Sequence, residues 1–212
     1  EIVTEPELNS AEEAFAFLLA LKQILRYGQI SKCNLEEGNM RSDLNCSIRP
    51  EGQDSLGIKT EIKNLNTFKG IYQALKHEIA RQIDVLEGKG KIEQETRRWD
   101  KEHGITIPMR SKEDAHDYRY FADPDLLPVV ITQQQIKQWK SMLPEMPAGR
   151  CKRLEQDYSI PRYDAKVLSS DKKTADYFEE TLRYCSNAKA VSNWLMTEMQ
   201  HKLSEKERRR KY

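Results

Sequence analysis

Between Glu36 and Asn66 the chain reads EEGNMRSDLNCSIRPEGQDSLGIKTEIKNLN, where carboxylates, guanidinium groups, amines and amides alternate with apolar side chains. From Met40 to Arg49, residues Met40, Ser42, Leu44, Cys46 and Ile48 fall on one side of an extended strand. Arg41, Asp43, Asn45, Ser47 and Arg49 fall on the other. The pattern repeats from Ile58 to Asn64, with Ile58, Thr60 and Ile62 opposed to Lys59, Glu61 and Lys63. The connector PEGQDSLG, carrying Pro50, Gly52 and Gly57, predicts a hairpin turn or a longer loop. A merely solvated sheet face alternates in the same way, because antiparallel sheets often leave one side wet. Three details point to chemistry instead. The polar face mixes Arg, Asp, Asn, Ser, Glu and Lys; its carboxylates stand beside cations, as a metal–nucleotide site requires. The acidic pair Glu36 and Glu37 ends in Gly38, which lets it bend back toward that face.

The flanking segments have to position this face. Ser10 and Glu13 have capping-box spacing ahead of a helix whose stripe is Ala14, Phe17, Leu18, Leu21, Ile24 and Leu25, closed by Gly28. Asn66 is placed to cap a second helix with Phe68, Ile71, Tyr72, Leu75, Ile79, Ile83 and Leu86 in helical period, ending at Gly88. His77 is read as solvated and His103 as idle. Strands are expected over Ile92–Trp99 and Ile105–Arg110. The loop from Ser111 to Pro128 interleaves cations and rings at Asp117-Tyr118-Arg119-Tyr120-Phe121, which suits base stacking or RNA contact, or equally an irregular segment pinned by buried tyrosines. His116 beside Asp117 is a weaker acid–base pairing, with no nucleophile near it in sequence. Beyond about residue 128 strand signals vanish. Helices are expected over Thr132–Met142, from near Pro147, over Asp171–Tyr184 and from Asn187 through Leu203, with Pro144, Pro147 and Pro161 at the joints. The terminal Arg208–Lys211 run reads as a solvated helix end or a phosphate contact.

Composition narrows the function classes. The 212 residues are 38% hydrophobic and 33% charged with a net charge of +1, against a protein that grips nucleic acid by bulk electrostatics alone. No apolar run reaches the ~20 residues of a membrane span, and no secretory leader is evident. Cys33, Cys46, Cys151 and Cys185 lack zinc-site spacing, so all four are read as reduced thiols in a cytosol-like compartment. There is no Ser–Lys or Cys–His nucleophile arrangement and no GxxxxGK[ST] or GxGxxG phosphate loop.

EEGNMRSDLNCSIRP, then TEIKNLNTF, QETRRWD and MRSKEDAHDYRYFADPDLLP occur in that order, and EIVTEPEL and SNWLM extend the match nearly end to end. In these motifs the chain resembles the B subunit of the tRNA-dependent amidotransferases. The resemblance implies an α+β fold, with an antiparallel-sheet cradle like that of glutamine synthetase over residues 1–127 and an all-helical domain over 128–212. It implies ATP- and Mg²⁺-dependent phosphorylation of the side-chain carboxylate of Glu-tRNA(Gln) or Asp-tRNA(Asn), then displacement of phosphate by ammonia from a glutaminase A subunit. A small C subunit and the misacylated tRNA are the other implied partners, with neither membrane nor DNA. The implied setting is the bacterial cytoplasm, or a mitochondrial matrix or plastid.

The residues fit that chemistry. A carboxylate is a poor acyl donor until its oxygen leaves as phosphate, and phosphoryl transfer needs charge neutralisation and in-line placement above all. The expected catalytic set is Asp43, Glu61, Glu37 and Lys63; Arg41, Asn45, Asn64, Asn66 and Glu36 are expected to bind nucleotide or tRNA. By resemblance Glu1 is a Mg²⁺ ligand, its companions lying upstream, so the chain is read as an internal fragment that is inactive alone. The competing readings are a non-catalytic scaffold that only places tRNA, and a free-standing ligase acting on a small molecule. Carboxylates among the cations argue against the first, and the absence of a nucleotide motif against the second.

Overall fold

The computed structural model describes residues 1–109, 124–199 and 201–202. Two compact units emerge: residues 1–20 with 33–130, and residues 21–32 with the chain from 131 onward. Nothing in the sequence had set residues 21–32 apart from the first unit.

The first unit holds a four-stranded sheet in the order β1 (Leu44–Cys46), β2 (Thr60–Lys63), β3 (Thr96–Asp100), β4 (Ile105–Pro108). The fold is α+β, but the sheet is not the purely antiparallel one expected. β1–β2 and β3–β4 are antiparallel hairpins, whereas β2 and β3 run parallel. Parallel neighbours need a long crossover, and helix α2 (Phe68–Glu87) supplies it. The strands are also shorter than the alternation implied. Residues 40–43 and 47–49 lie outside the ladder.

Alternation nevertheless sorts the side chains correctly. Ile62 and Thr60 are fully buried and Cys46 nearly so, while Asn45, Glu61 and Lys63 face the opposite side. The buried face meets Ala11, Ala14 and Leu18 of helix α1 (Ala11–Tyr27) and Ile71, Ala74 and Leu75 of α2, with Trp99 of β3 completing the core. Ser10 Oγ accepts the Glu13 amide at 3.0 Å, but the Glu13 carboxylate takes the Asn9 amide instead of closing the expected box on Ser10. Thr67, not Asn66, caps α2, accepting the Gly70 amide at 2.9 Å. Both long helices end in the same motif. Gly28 and Gly88 keep ordinary backbone, and the left-handed residue is the next one, Gln29 or Lys89. Ile30 and Gly90 then reach back five residues to the Leu25 and Val85 carbonyls.

The inner face of α2 departs from its apolar periodicity. Ile83 and Leu86 are 41% and 43% exposed, and Glu78 and Gln82 are fully buried in their stead. Polar partners from the sheet make that burial tolerable, as described below.

In the second unit α3 (Gln133–Met142) begins with a Thr132–Gln135 capping box, and α4 (Pro147–Tyr158) carries proline in its first turn. Helix α5 (Arg162–Leu168), which the sequence had not revealed, packs with α6 (Lys172–Thr181) and α7 (Ala188–Trp194). The core is Leu154, Ile160, Ala165, Leu168, Phe178, Val191 and Leu195. Asp171 and Asn187 cap α6 and α7 as their types predict. Buried Arg150 bridges Asp176 and Glu179. Tyr27 donates to the Ser169 carbonyl at 2.5 Å, and burial pushes its phenol up to about 12. The expectations for Asp117–Phe121, His116, Arg110, Leu203 and Arg208–Lys211 lie outside the described residues.

Candidate functional site

Three of the motif segments converge on one cleft of about 660 Å³ in the first unit. Gly38, Met40, Arg41, Ser42 and Asp43 line it ahead of β1; Lys63, Asn64, Leu65 and Asn66 line it after β2; Arg98 enters from β3. Leu35 and Met109 add apolar walls.

Local chemistry explains each placement. Gly38 has φ of 72° and turns the chain after a tight Leu35–Gly38 bend, and residues 40–43 then run along the cleft. Asn64 ends β2 with φ of 65°, a conformation Asn accepts better than most residues. Its Nδ2 donates to the Trp99 carbonyl at 2.9 Å, fixing the chain to β3 one residue beyond the last β2–β3 ladder pair, Lys63–Arg98. That turn buries Leu65 and leaves Asn66 exposed at the cleft, one residue before the Thr67 cap.

Of the sequence-predicted residues, Arg41, Asp43, Lys63, Asn64 and Asn66 come together here. Glu61 shares the polar sheet face but does not line the cleft; Thr96 Oγ1 donates to it at 2.9 Å and Lys63 Nζ lies 3.5 Å away. Asn45 sits across the β1–β2 ladder from Glu61, exposed and outside the cleft. Glu36 and Glu37 do not bend back onto the face. The Asn34 side chain takes the Glu36 amide at 3.2 Å and holds the pair at the exposed tip of the turn. Glu1 is exposed and is not part of the lining.

The residue that sequence reasoning passed over is Arg98. The alternation in QETRRWD puts it opposite Trp99, hence on the wet face, but only the parallel β2–β3 register sets it beside Lys63. Electrostatically the cleft is cationic. Arg41, Lys63 and Arg98 stand against Asp43, whose ion pair with Arg41 is long at 3.5 Å and largely solvated. Among the described residues no three His, Cys, Asp or Glu side chains group closely enough to hold a metal ion. The described lining residues therefore fit phosphate oxygens better than a Mg²⁺ shell.

A buried polar network backs the cleft from the other side of the sheet. Glu78 accepts from Arg81 Nε and its terminal nitrogen at 3.0 and 2.6 Å, from Gln82 at 2.9 Å and from Thr106 Oγ1 at 2.9 Å. Arg97 on β3 reaches Thr106 Oγ1 and its carbonyl at 3.0 and 2.7 Å, and the Glu95 carboxylate at 2.6 Å. Burial alone pushes the Glu78 carboxyl up, yet the bonds from Arg81, Gln82 and Thr106 outweigh it and hold the group below the usual glutamate range. His77 is half-buried rather than solvated: Thr106 N–H donates to its Nδ1 at 3.3 Å, and burial first, then Arg97 and Arg81, lowers its pKa against the opposing pull of Glu78. Burial raises the Cys46 thiol to about 11, so this cysteine is an inert core residue. His103 pairs with Asp100 at 2.9 Å on the exposed β3–β4 turn, outside the cleft lining.

The profile of the GatB/GatE catalytic domain matches residues 1–137. The chain is 49% identical over 205 residues to the B subunit of the aspartyl/glutamyl-tRNA(Asn/Gln) amidotransferase of Thermoanaerobacter sp. (strain X514), covering 97% of this chain and 43% of that protein. The corresponding B subunit of Carboxydothermus hydrogenoformans is 50% identical over 199 residues, with 94% and 41% coverage. That of Chlorobium limicola is 48% identical over 206 residues, with 97% and 43% coverage. The chain thus spans about 43% of the length of the curated relatives it matches.

Proposed function

The chain belongs to the GatB/GatE catalytic-domain family, and on that premise we propose that it supplies the cradle in which an amidotransferase B subunit activates the side-chain carboxylate of Glu-tRNA(Gln) or Asp-tRNA(Asn). ATP is the phosphoryl donor, and ammonia from a glutaminase partner completes the amide. The observation that carries this reading is the convergence of the GNMRSD, KNLN and ETRRWD segments on one cationic cleft.

In that cleft Lys63 and Arg41 neutralise phosphate oxygens, Lys as a point charge and Arg as a fork. Asn66, exposed at the rim, orients ribose or the tRNA terminus. Asn64 spends its amide nitrogen on Trp99 and shapes the backbone. Asp43 is the carboxylate positioned to hold a proton or steer ammonia at the reacting centre. Glu61, tied to Lys63 and Thr96, sets the charge of the cleft instead of entering it. Mg²⁺, when bound, would offset phosphate charge; the described residues do not by themselves supply its ligands. A cytoplasmic location, and a small C subunit as a further partner, belong to the same proposal. No helix among the described residues is long and apolar enough to cross a membrane.

The test uses the full-length B subunit assembled with its partners, assayed for ATP-dependent acyl-phosphate formation on Glu-tRNA(Gln) and for amide product. Asp43→Ala and Lys63→Ala each lower turnover by about 100-fold or more with the assembly and tRNA binding intact. Undiminished turnover in both variants would leave the tRNA-placing scaffold as the surviving reading.

A further inference from the structure

Strand β3 presents two consecutive arginines to opposite sides of the sheet. Arg97 is buried and spends its guanidinium on Glu95 and Thr106. Arg98 lies across the β2–β3 ladder from Lys63 and lines the cleft, and among the described residues it has no hydrogen-bonded or ion-paired acid. Adjacent strands are about 4.8 Å apart, so the ladder holds two cations side by side, an arrangement that like-charge repulsion opposes. Lys63 is relieved by Glu61 at 3.5 Å; among the described residues Arg98 has no such partner. Its rigid support argues that this cost is retained for a purpose. Asn64 pins β2 to the Trp99 carbonyl next to Arg98, and the Thr96–Glu61 bond joins the same strands two residues earlier on β3.

We propose that Arg98 and Lys63 form the phosphate-anchoring pair of the cleft, that the anion they take is the polyphosphate of a nucleotide, and that Glu61 tempers its affinity by neutralising Lys63. The inference rests on the nucleotide-dependent reading above and adds to it the residue that grips the phosphates. Arg98 supplies a planar fork for two oxygens and Lys63 a point charge for a third. The apolar walls, Met40 and Met109, suit a base or ribose face rather than more phosphate.

Equilibrium titrations of the 212-residue chain, metal-free and at low ionic strength, decide the matter with inorganic pyrophosphate, ATP, adenosine and a short single-stranded RNA as probes. Pyrophosphate and ATP bind, adenosine binds far more weakly, and RNA does not displace ATP. Arg98→Ala weakens pyrophosphate and ATP by about tenfold or more and leaves adenosine and the melting temperature unchanged. Arg98→Lys restores part of the loss, and Arg98→Gln keeps the strand's polar length as a check on folding. Glu61→Gln tightens pyrophosphate by about threefold, the effect expected of one removed surface charge. Pyrophosphate affinity indifferent to Arg98→Ala and Arg98→Gln overturns the proposal, as does RNA displacing ATP from the site. Amidation by the wild-type assembled enzyme is measured in parallel. If that activity proves independent of ATP, the functional reading falls while the pyrophosphate result stands; if it depends on ATP and Arg98 does not matter, only the anchoring pair falls.

Discussion

Removing the Glu78 carboxylate gives the sharpest prediction for stability. The side chain is fully buried and accepts four hydrogen bonds, two of them from Arg81, with Arg97 Nε 3.7 Å away. Breaking one side of a buried ion pair costs about 3–5 kcal/mol. Glu78→Ala belongs at the low end, about 3 kcal/mol, because neither arginine is stranded. Arg81 stays 22% exposed and 3.7 Å from Glu95, and Arg97 keeps Glu95 and Thr106. Glu78→Gln keeps the volume but leaves one acceptor oxygen where there were two, so two of the four bonds are lost at about 1 kcal/mol each and about 2 kcal/mol is expected. The assay is urea unfolding followed by Trp99 fluorescence in a Trp139→Phe, Trp194→Phe background, so that only the first unit reports. With m near about 2 kcal/mol/M, the midpoint falls by about 1.5 M for alanine and about 1 M for glutamine. The pH dependence carries a sign. The folded-state pKa is depressed, so its stabilisation is present above the unfolded value of about 4.5 and is lost as pH falls through the folded value. Wild type therefore exceeds Glu78→Gln most at neutral pH, and the two converge below about pH 4.5. A glutamine variant as stable as wild type at pH 7, or a gap constant down to about pH 3, refutes this account of the network.

Two further outcomes follow from local geometry. A Cβ added at Gly57 would collide with the Ile48 backbone carbonyl, so Gly57→Ala costs about 1–3 kcal/mol by the same Trp99 assay, and an unchanged midpoint would show that the β1–β2 connector is not packed as described. Alkylation of the native chain at about pH 8, mapped by mass spectrometry, labels exposed Cys185 first and buried Cys46 only on unfolding; early loss of Cys46 would contradict its raised pKa.

How far the sequence disclosed this molecule can be judged strand by strand. Period-two alternation in KTEIKN sorted Thr60 and Ile62 from Glu61 and Lys63 correctly, because one face of β2 is sealed by α1 and α2 and a register slip would expose it. What alternation does not encode is where pairing stops. Met40–Asp43 alternates as well as β1 does, yet it leaves the ladder and becomes the wall of the cleft. The parallel β2–β3 pairing was hidden for a related reason. A helix between two strands permits a parallel crossover, but which strands become neighbours is decided by long-range packing. Along α2 the apolar period pointed to Ile83 and Leu86, while the inner face holds Glu78 and Gln82. Their burial is made tolerable by Arg81 on the same helix together with Arg97, Thr60 and Thr106, which arrive from strands distant in sequence.

The candidate site shows the same division between what is local and what is assembled. Each cation of the cleft is visible in the sequence as a polar residue next to an apolar one, so any of them passes for a solvated position. Their meaning lies in their number at one place. Three cations line one cleft, and among the described residues only Arg41 and Lys63 have carboxylate partners, Asp43 and Glu61, each at 3.5 Å; an idle wet face has no reason to set Arg98 beside Lys63 without an acid of its own. Of the carboxylates that looked chemical in the sequence, Asp43 lines the cleft, whereas Glu61 is engaged with Lys63 and Thr96 and the Glu36–Glu37 pair stands at an exposed turn tip. Among the described residues the cleft thus gathers cations, and no group of metal-ligating side chains accompanies them. The phosphate anchoring proposed for it rests on Arg98, a cleft cation that only the sheet register could reveal as the neighbour of Lys63.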